Sequence, residues 1–171
     1  KITEDLIFDA PYFDDETNSI EDHIRDAAEA IWRDEELRLE VALLREKFLT
    51  HAQALLHGDL HTGSIFITPE STKVIDPEFA YYGPMGFDVG AVFANLLLNY
   101  AAQEHWSPDE TSRRERRAYL LNTIRDTWNL FEKKFRALWD EHGIDRVFRA
   151  KGYQDDYMRR LLKDTIGFAG A

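Results

Sequence analysis

Between Ile20 and Arg33 the apolar residues fall at Ile20, Ile24, Ala27, Ala28 and Ile31, the spacing of a helix with one buried face. Ser19 stands ahead of this run as an N-cap, with Asp22 three positions on as its partner in a capping box. A second helix is predicted from Glu35 to Leu56, with Leu37, Val41, Leu44, Phe48, Ala52 and Leu55 on its stripe. The segment before the first helix, rich in Asp and Glu and holding Pro11, reads as irregular. The period then changes. Ile65-Phe66-Ile67 and Lys73-Val74-Ile75 are short β-prone runs on either side of the polar Thr68-Pro69-Glu70-Ser71-Thr72, which predicts a hairpin. Gly83-Pro84 and Gly86 mark a tight loop. Helical spacing returns over 88–103, 109–141 and 153–169, with Trp128, Phe131, Phe135, Leu138 and Trp139 in phase. The fold class is therefore mainly α with one small β-hairpin, read as a single domain over residues 1–171.

Length and composition narrow the function classes. A chain of 171 residues with 13% aromatics can bury a sizeable core. Its net charge of −11, from 21 basic and 32 acidic side chains, argues against nucleic acid or an anionic membrane as partner. There is no cysteine, hence no disulfide framework and no thiolate metal site, which is compatible with the cytoplasm. The most apolar stretch, Val89 to Tyr100, carries Asn95 and Asn99 and falls short of the roughly 20 residues a membrane span needs. The first residue is Lys1, and the final GFAGA follows an apolar pattern directly; the chain reads as a piece of a longer protein.

The candidate chemistry lies at the outer ends of the hairpin. HGDLHTGS, His57 to Ser64, precedes it, and Asp76-Pro77-Glu78 follows it. A hairpin brings its outer ends together, so Asp59, Ser64, Asp76 and Glu78 are expected to be neighbours. Crowded carboxylates need a proton or a cation to relieve them. Mg²⁺ prefers carboxylate oxygens, and phosphoryl transfer needs a base-like Asp beside the attacking hydroxyl and an Asp on the metal. His57, Asp59 and His61 at alternating positions also suit a metal-dependent hydrolase. That reading needs further ligands, and His51 and His105 lack the spacing to supply them.

The order from His57 to Glu78 resembles H-x-D-x-x-x-x-N, a hairpin and D-x-G, the catalytic and metal loops in the C-terminal lobe of the protein-kinase-like fold. His57-Gly58-Asp59-Leu60-His61 matches its small-molecule branch, which includes aminoglycoside phosphotransferases and choline kinases. Within that branch HGDLHTGSI and VIDPEFAYYGPMGFDVGA are similar to the methylthioribose kinase family, across residues 57–92. The resemblance implies a kinase transferring the γ-phosphoryl group of ATP, with Mg²⁺, to the 1-hydroxyl of 5-methylthioribose in methionine salvage. It implies a cytoplasmic homodimer as the full-length protein. Asp59 matches the catalytic aspartate and Asp76 the metal-binding one. Glu78 stands where most kinases have the glycine of D-x-G, and Ser64 where most have a second metal-binding Asn; both are expected at the metal. His61 stands where protein kinases place a lysine near the transferred phosphate. His57 is expected to brace the loop, and Asp88 to tie it down from the start of a helix.

A kinase also needs a nucleotide lobe with a glycine-rich cover over the phosphates. The nine glycines here are scattered, and only Gly58 precedes Asp59. The chain is therefore expected to be the catalytic lobe without the nucleotide-binding lobe, and inactive alone. Arg113 to Arg117 reads as a solvated helix face, and Arg159-Arg160 does not coincide with the paired arginine that the family uses for its sugar. Trp32, Trp106, Trp128 and Trp139 read as packing or surface residues. The alternatives are a kinase for an aminoglycoside, choline or homoserine, and a degenerate kinase-like scaffold.

Overall fold

The computed structural model describes residues 2–171. Its packing separates two compact units. The first comprises the chain up to Leu55 together with Tyr82–Pro84 and Ala171, and the second comprises Leu56–Tyr81 and Met85–Gly170.

The first unit holds α1 (Ile2–Phe8), α2 (Arg25–Arg33) and α3 (Glu35–Thr50). The segment before residue 19, expected to be irregular, contains α1 and a short 3-10 turn over Ala10–Tyr12 with Pro11 in its first turn. Its acidic residues disguised it, but Phe8 is buried and its ring meets Phe48 of α3 at 5.2 Å. Glu4 and Arg45 form an ion pair at 3.4 Å between the same helices. The start of α2 also differs from the expectation. Ser19 lies outside any helix, a 3-10 turn covers Asp22–Ile24, and no side chain caps α2. The working cap belongs to α3, where the Asp34 carboxylate accepts the Leu37 N–H at 2.9 Å.

α3 ends at Thr50 rather than continuing to Leu56. His51 leaves helical geometry at ψ 81°, and the Gln53 N–H donates to the Gly83 carbonyl at 3.0 Å. Ala54–Leu56 is thereby drawn into strand β1, which pairs with the chain returning at β4 (Tyr81–Gly83). Ala52 and Leu55 continue the helical stripe in sequence only; a long-range strand partner outcompetes local periodicity here.

The second unit carries the hairpin and three long helices. β2 (Ile65–Ile67) pairs antiparallel with β3 (Thr72–Val74) in the register Ile65↔Val74, Phe66↔Lys73 and Ile67↔Thr72. The Thr68 hydroxyl accepts the Ser71 N–H at 3.0 Å and so helps close the turn. α4 (Gly86–Trp106), α5 (Glu110–His142) and α6 (Tyr153–Gly170) follow. The Asp109 carboxylate caps α5, accepting the Ser112 N–H at 2.8 Å. Phe93, Trp128, Met158 and Leu161 form the core between these helices, flanked by Val89, Ile124, Phe131, Phe135 and Tyr157. Phe135 and Tyr157 stack with ring centres 5.8 Å apart. Arg113 pairs with Glu104 and Glu110, each at 2.7 Å, so the basic run is a salt-bridged helix face.

α4 and α6 approach closely through Gly86 and Gly90. A Cβ on Gly86 would lie 2.9 Å from the Thr165 nitrogen, and one on Gly90 would lie 2.8 Å from the Thr165 carbonyl oxygen. Phe87, one residue along from Gly86, meets Phe168 edge-on at 5.6 Å. Among the described residues no helix is long and apolar enough to cross a membrane.

Candidate active site

The chain enters the second unit at Leu56, which is 5% exposed, and turns immediately. Gly58 makes that turn at φ 83°, in the left-handed region where a Cβ is disfavoured. Asp88, in the first turn of α4, receives both amides of the turn. Its two carboxylate oxygens accept the His57 N–H at 2.6 Å and the Gly58 N–H at 3.0 Å. Charged acceptors make the stronger class of hydrogen bond, so the loop is fixed at the point where it leaves β1. Burial, with the nearby Asp88 carboxylate, pushes the Tyr81 phenol up and keeps it neutral.

His57 joins the loop to the hairpin. Its Nδ1 accepts the Asp59 N–H at 3.4 Å, which leaves Nε2 as the protonated nitrogen. Nε2–H donates to the Ile75 carbonyl at 2.7 Å. Ile75 also donates its N–H to the Ser64 carbonyl at 3.0 Å. The residue before Asp76 is thus held from both ends of the preceding loop.

Between these anchors the loop presents Asp59, whose side chain is 56% exposed. His61 stands above a 3-10 turn over Thr62–Ser64 and accepts the Gly63 N–H through Nδ1 at 3.1 Å. Its Nε2 lies 3.2 Å from the Ser64 hydroxyl and 3.9 Å from an Asp59 carboxylate oxygen. Ser64 is 3% exposed, and its hydroxyl faces His61.

Across the hairpin, Asp76 is the one non-glycine with a positive φ, 65°, among the described residues. An aspartate tolerates this region better than most residues. Holding one there still costs of order 1–3 kcal/mol, and such strain gathers at functional positions. Asp76, Pro77 and Glu78 are exposed. The Ala80 N–H donates to the Pro77 carbonyl at 3.0 Å, turning the chain behind Glu78. Phe79 then lies against Gly58, close enough that a Cβ there would meet the Phe79 carbonyl oxygen at 2.2 Å.

The hairpin thus joins its two ends through one side-chain contact, His57 to the Ile75 carbonyl, and two backbone contacts, Ser64 to Ile75 and Gly58 to Phe79. Asp59, His61 and Ser64 share one cluster, with Asp88 behind it. Among the described residues, no three His, Asp or Glu side chains are grouped as a metal cage. Asp76 and Glu78 are both exposed, so their carboxylates are open to solvent. That suits Mg²⁺, which takes one or two carboxylates and fills the rest of its shell with waters and substrate phosphates.

Asn95 is a site residue that the sequence pattern did not single out. Its side-chain oxygen accepts both the N–H and the hydroxyl of Thr62 at 3.3 Å, holding the turn below His61. The signal was a polar residue inside the apolar run of α4. Gly63 is a second: a Cβ there would meet the His61 ring at 2.9 Å.

A sequence model described as the phosphotransferase enzyme family matches residues 1–128. Methylthioribose kinase of Geobacillus kaustophilus is 50% identical over 99% of this chain, which covers 41% of that protein. Methylthioribose kinase 1 of rice, Oryza sativa subsp. japonica, is 44% identical over the whole chain and 43% of its own length. The enzyme of the same name from Exiguobacterium sibiricum is 47% identical over 99% of the chain and 41% of its own length. The chain therefore spans about two-fifths of these relatives. The family match extends over the α1–α4 region, the loop from His57, the hairpin and much of α5, and on that ground the chain belongs to the phosphotransferase enzyme family.

Proposed function

We propose that this chain is the catalytic lobe of a kinase that transfers the γ-phosphoryl group of ATP to the 1-hydroxyl of 5-methylthioribose. The carrying observation is its likeness, at 44 to 50% identity across nearly its whole length, to proteins named methylthioribose kinase. The arrangement of the loop supports this reading. Asp59 is exposed on a loop anchored at both sides, so its carboxylate can orient a substrate hydroxyl and accept its proton. His57 and Asp88 set the position of that loop without needing to touch substrate.

Asp76 and Glu78 are the residues that would hold Mg²⁺ as carboxylate ligands. Bound there with ATP, the ion would neutralise the phosphate charge that develops during transfer. Ser64 enters this proposal differently from the two acids: its hydroxyl faces His61 at 3.2 Å, so any contribution at the metal requires it to turn away. On this reading a part of the full-length protein outside this chain supplies the nucleotide-binding lobe. Homodimerisation and a cytoplasmic location complete the proposal.

The test is ADP release by the full-length protein with Mg-ATP and 5-methylthioribose, beside choline, homoserine and an aminoglycoside, with Asp59→Asn as control. Turnover with methylthioribose alone, lost in the control, supports the reading. Turnover with a different alcohol replaces the substrate and keeps the reaction class. Absence of turnover with all four refutes the kinase assignment for these substrates.

A further inference from the structure

Asp59 makes its one ion-pair-range contact among the described residues with His61. Three observations fix the His61 ring. Its Nδ1 accepts the Gly63 N–H at 3.1 Å, so that nitrogen carries no proton. In the neutral ring the proton is then on Nε2, which faces the Ser64 hydroxyl at 3.2 Å and the Asp59 carboxylate at 3.9 Å. Gly63 leaves room for this pose, since a Cβ there would stand 2.9 Å from the ring. Ser64 cannot drift, because it is buried and its carbonyl accepts the Ile75 N–H at 3.0 Å.

We propose that His61 is a positioning residue for Asp59: its Nε2–H, aimed by Gly63 and Ser64, sets the carboxylate's orientation toward the substrate hydroxyl. The alternative is a contact with the transferred phosphate, as the position of His61 in the kinase-like loop suggests. Both ring nitrogens are already directed at protein groups, and the protonated one points toward an acceptor pair that includes the base. The proposal rests on the kinase reading above, but not on the identity of the alcohol.

Two amide substitutions separate the two nitrogens. Asn at position 61 can accept the Gly63 N–H as a short polar cap does, but its side chain stops short of the Nε2 position. Gln at position 61 reaches that position and offers an N–H₂ donor there. In the full-length protein, His61→Asn is expected to lower kcat about tenfold or more while KM for ATP and for the alcohol stays within about twofold. His61→Gln is expected to recover most of that loss. In an Asp59→Asn background, His61→Asn is expected to add nothing further, since its effect runs through Asp59.

A wild-type-like His61→Asn enzyme overturns the proposal. So does a raised KM for ATP at unchanged kcat, which marks a phosphate contact. A Gln variant as poor as the Asn variant overturns it too. The comparison is run with whichever alcohol the wild type turns over. A readout free of activity completes the test: ¹⁵N-histidine NMR of the full-length protein, assigned by the signal lost in His61→Gln, should show the Nε2–H tautomer. The Nδ1–H tautomer would refute the geometry even if no tested alcohol is a substrate.

Discussion

Gly58→Ala gives the sharpest check on how the loop from His57 is held. The substitution adds one methyl group, and two costs follow. The first is backbone strain at φ 83°, about 1–2 kcal/mol for a residue with a Cβ. The second is collision: the new carbon would stand 2.2 Å from the Phe79 carbonyl oxygen and 2.8 Å from its carbonyl carbon. Those are backbone atoms and cannot swing aside as a side-chain tip can, so relief requires the turn at Glu78 and Phe79 to move. Overpacking of this kind costs about 1–3 kcal/mol, for a sum of roughly 2–5 kcal/mol. Gly152 supplies the control. It has nearly the same backbone angle, φ 81°, with nothing within 4 Å of the added carbon. Gly152→Ala should therefore cost only the strain, about 1–2 kcal/mol. Urea unfolding of the two variants, read at fixed m-value, isolates the collision as their difference. The kinetics should diverge as well, with Gly58→Ala losing turnover in the full-length protein and Gly152→Ala keeping it. Equal destabilisation of the two variants would refute the contact between Gly58 and Phe79, and with it the account of how the hairpin ends are joined.

Asp88→Asn should lower stability by about 2–4 kcal/mol, because an amide offers one acceptor where two N–H groups now meet charged oxygens; urea unfolding measures it, and full retention would show that the loop is held otherwise. Thr165→Val should raise stability by about 1 kcal/mol, since Thr165 is 0% exposed and its hydroxyl has no partner among the described residues; a lowered Tm would reveal a hidden partner. Asp109 has its carboxyl held below the ordinary range by hydrogen bonds from the Ser112 backbone and hydroxyl. Its contribution is therefore present above the ordinary carboxylate pKa and is lost as pH falls through the lowered folded value. The Tm gap between wild type and Asp109→Ala should narrow on acidification, and a gap that widens would reverse the assignment of that cap.

The sequence was most legible where period and burial agree. α5 and α6 follow their apolar stripes closely, and the hairpin follows its two β-branched runs to within a residue. It was least legible where distant parts of the chain decide. β1 continues the stripe of α3 and becomes a strand because Gly83, some thirty residues later, supplies a carbonyl to Gln53. α1 hides among carboxylates because its burial falls chiefly on Phe8. In the site, HGDLHTGS and DPE marked out a candidate site by residue type, whereas partner choice did not follow from them. That Ser64 faces His61, and that Asn95 holds Thr62, depend on a helix turn and a rotamer that no spacing rule encodes.

Asp88 lies between Gly86 and Gly90 in sequence, on the same first turn of α4. Those glycines set how near α6 can come, while Asp88 sets where the loop bearing Asp59 begins. If Asp59 is the base proposed above, the packing of α4 against α6 gauges its placement. Misplacement of a reacting group by about 1 Å can cost on the order of a hundredfold in rate. Substitutions at Thr165 or Phe168 that thicken the α6 surface should thus behave as kinetic variants, slowing turnover while leaving substrate affinity intact.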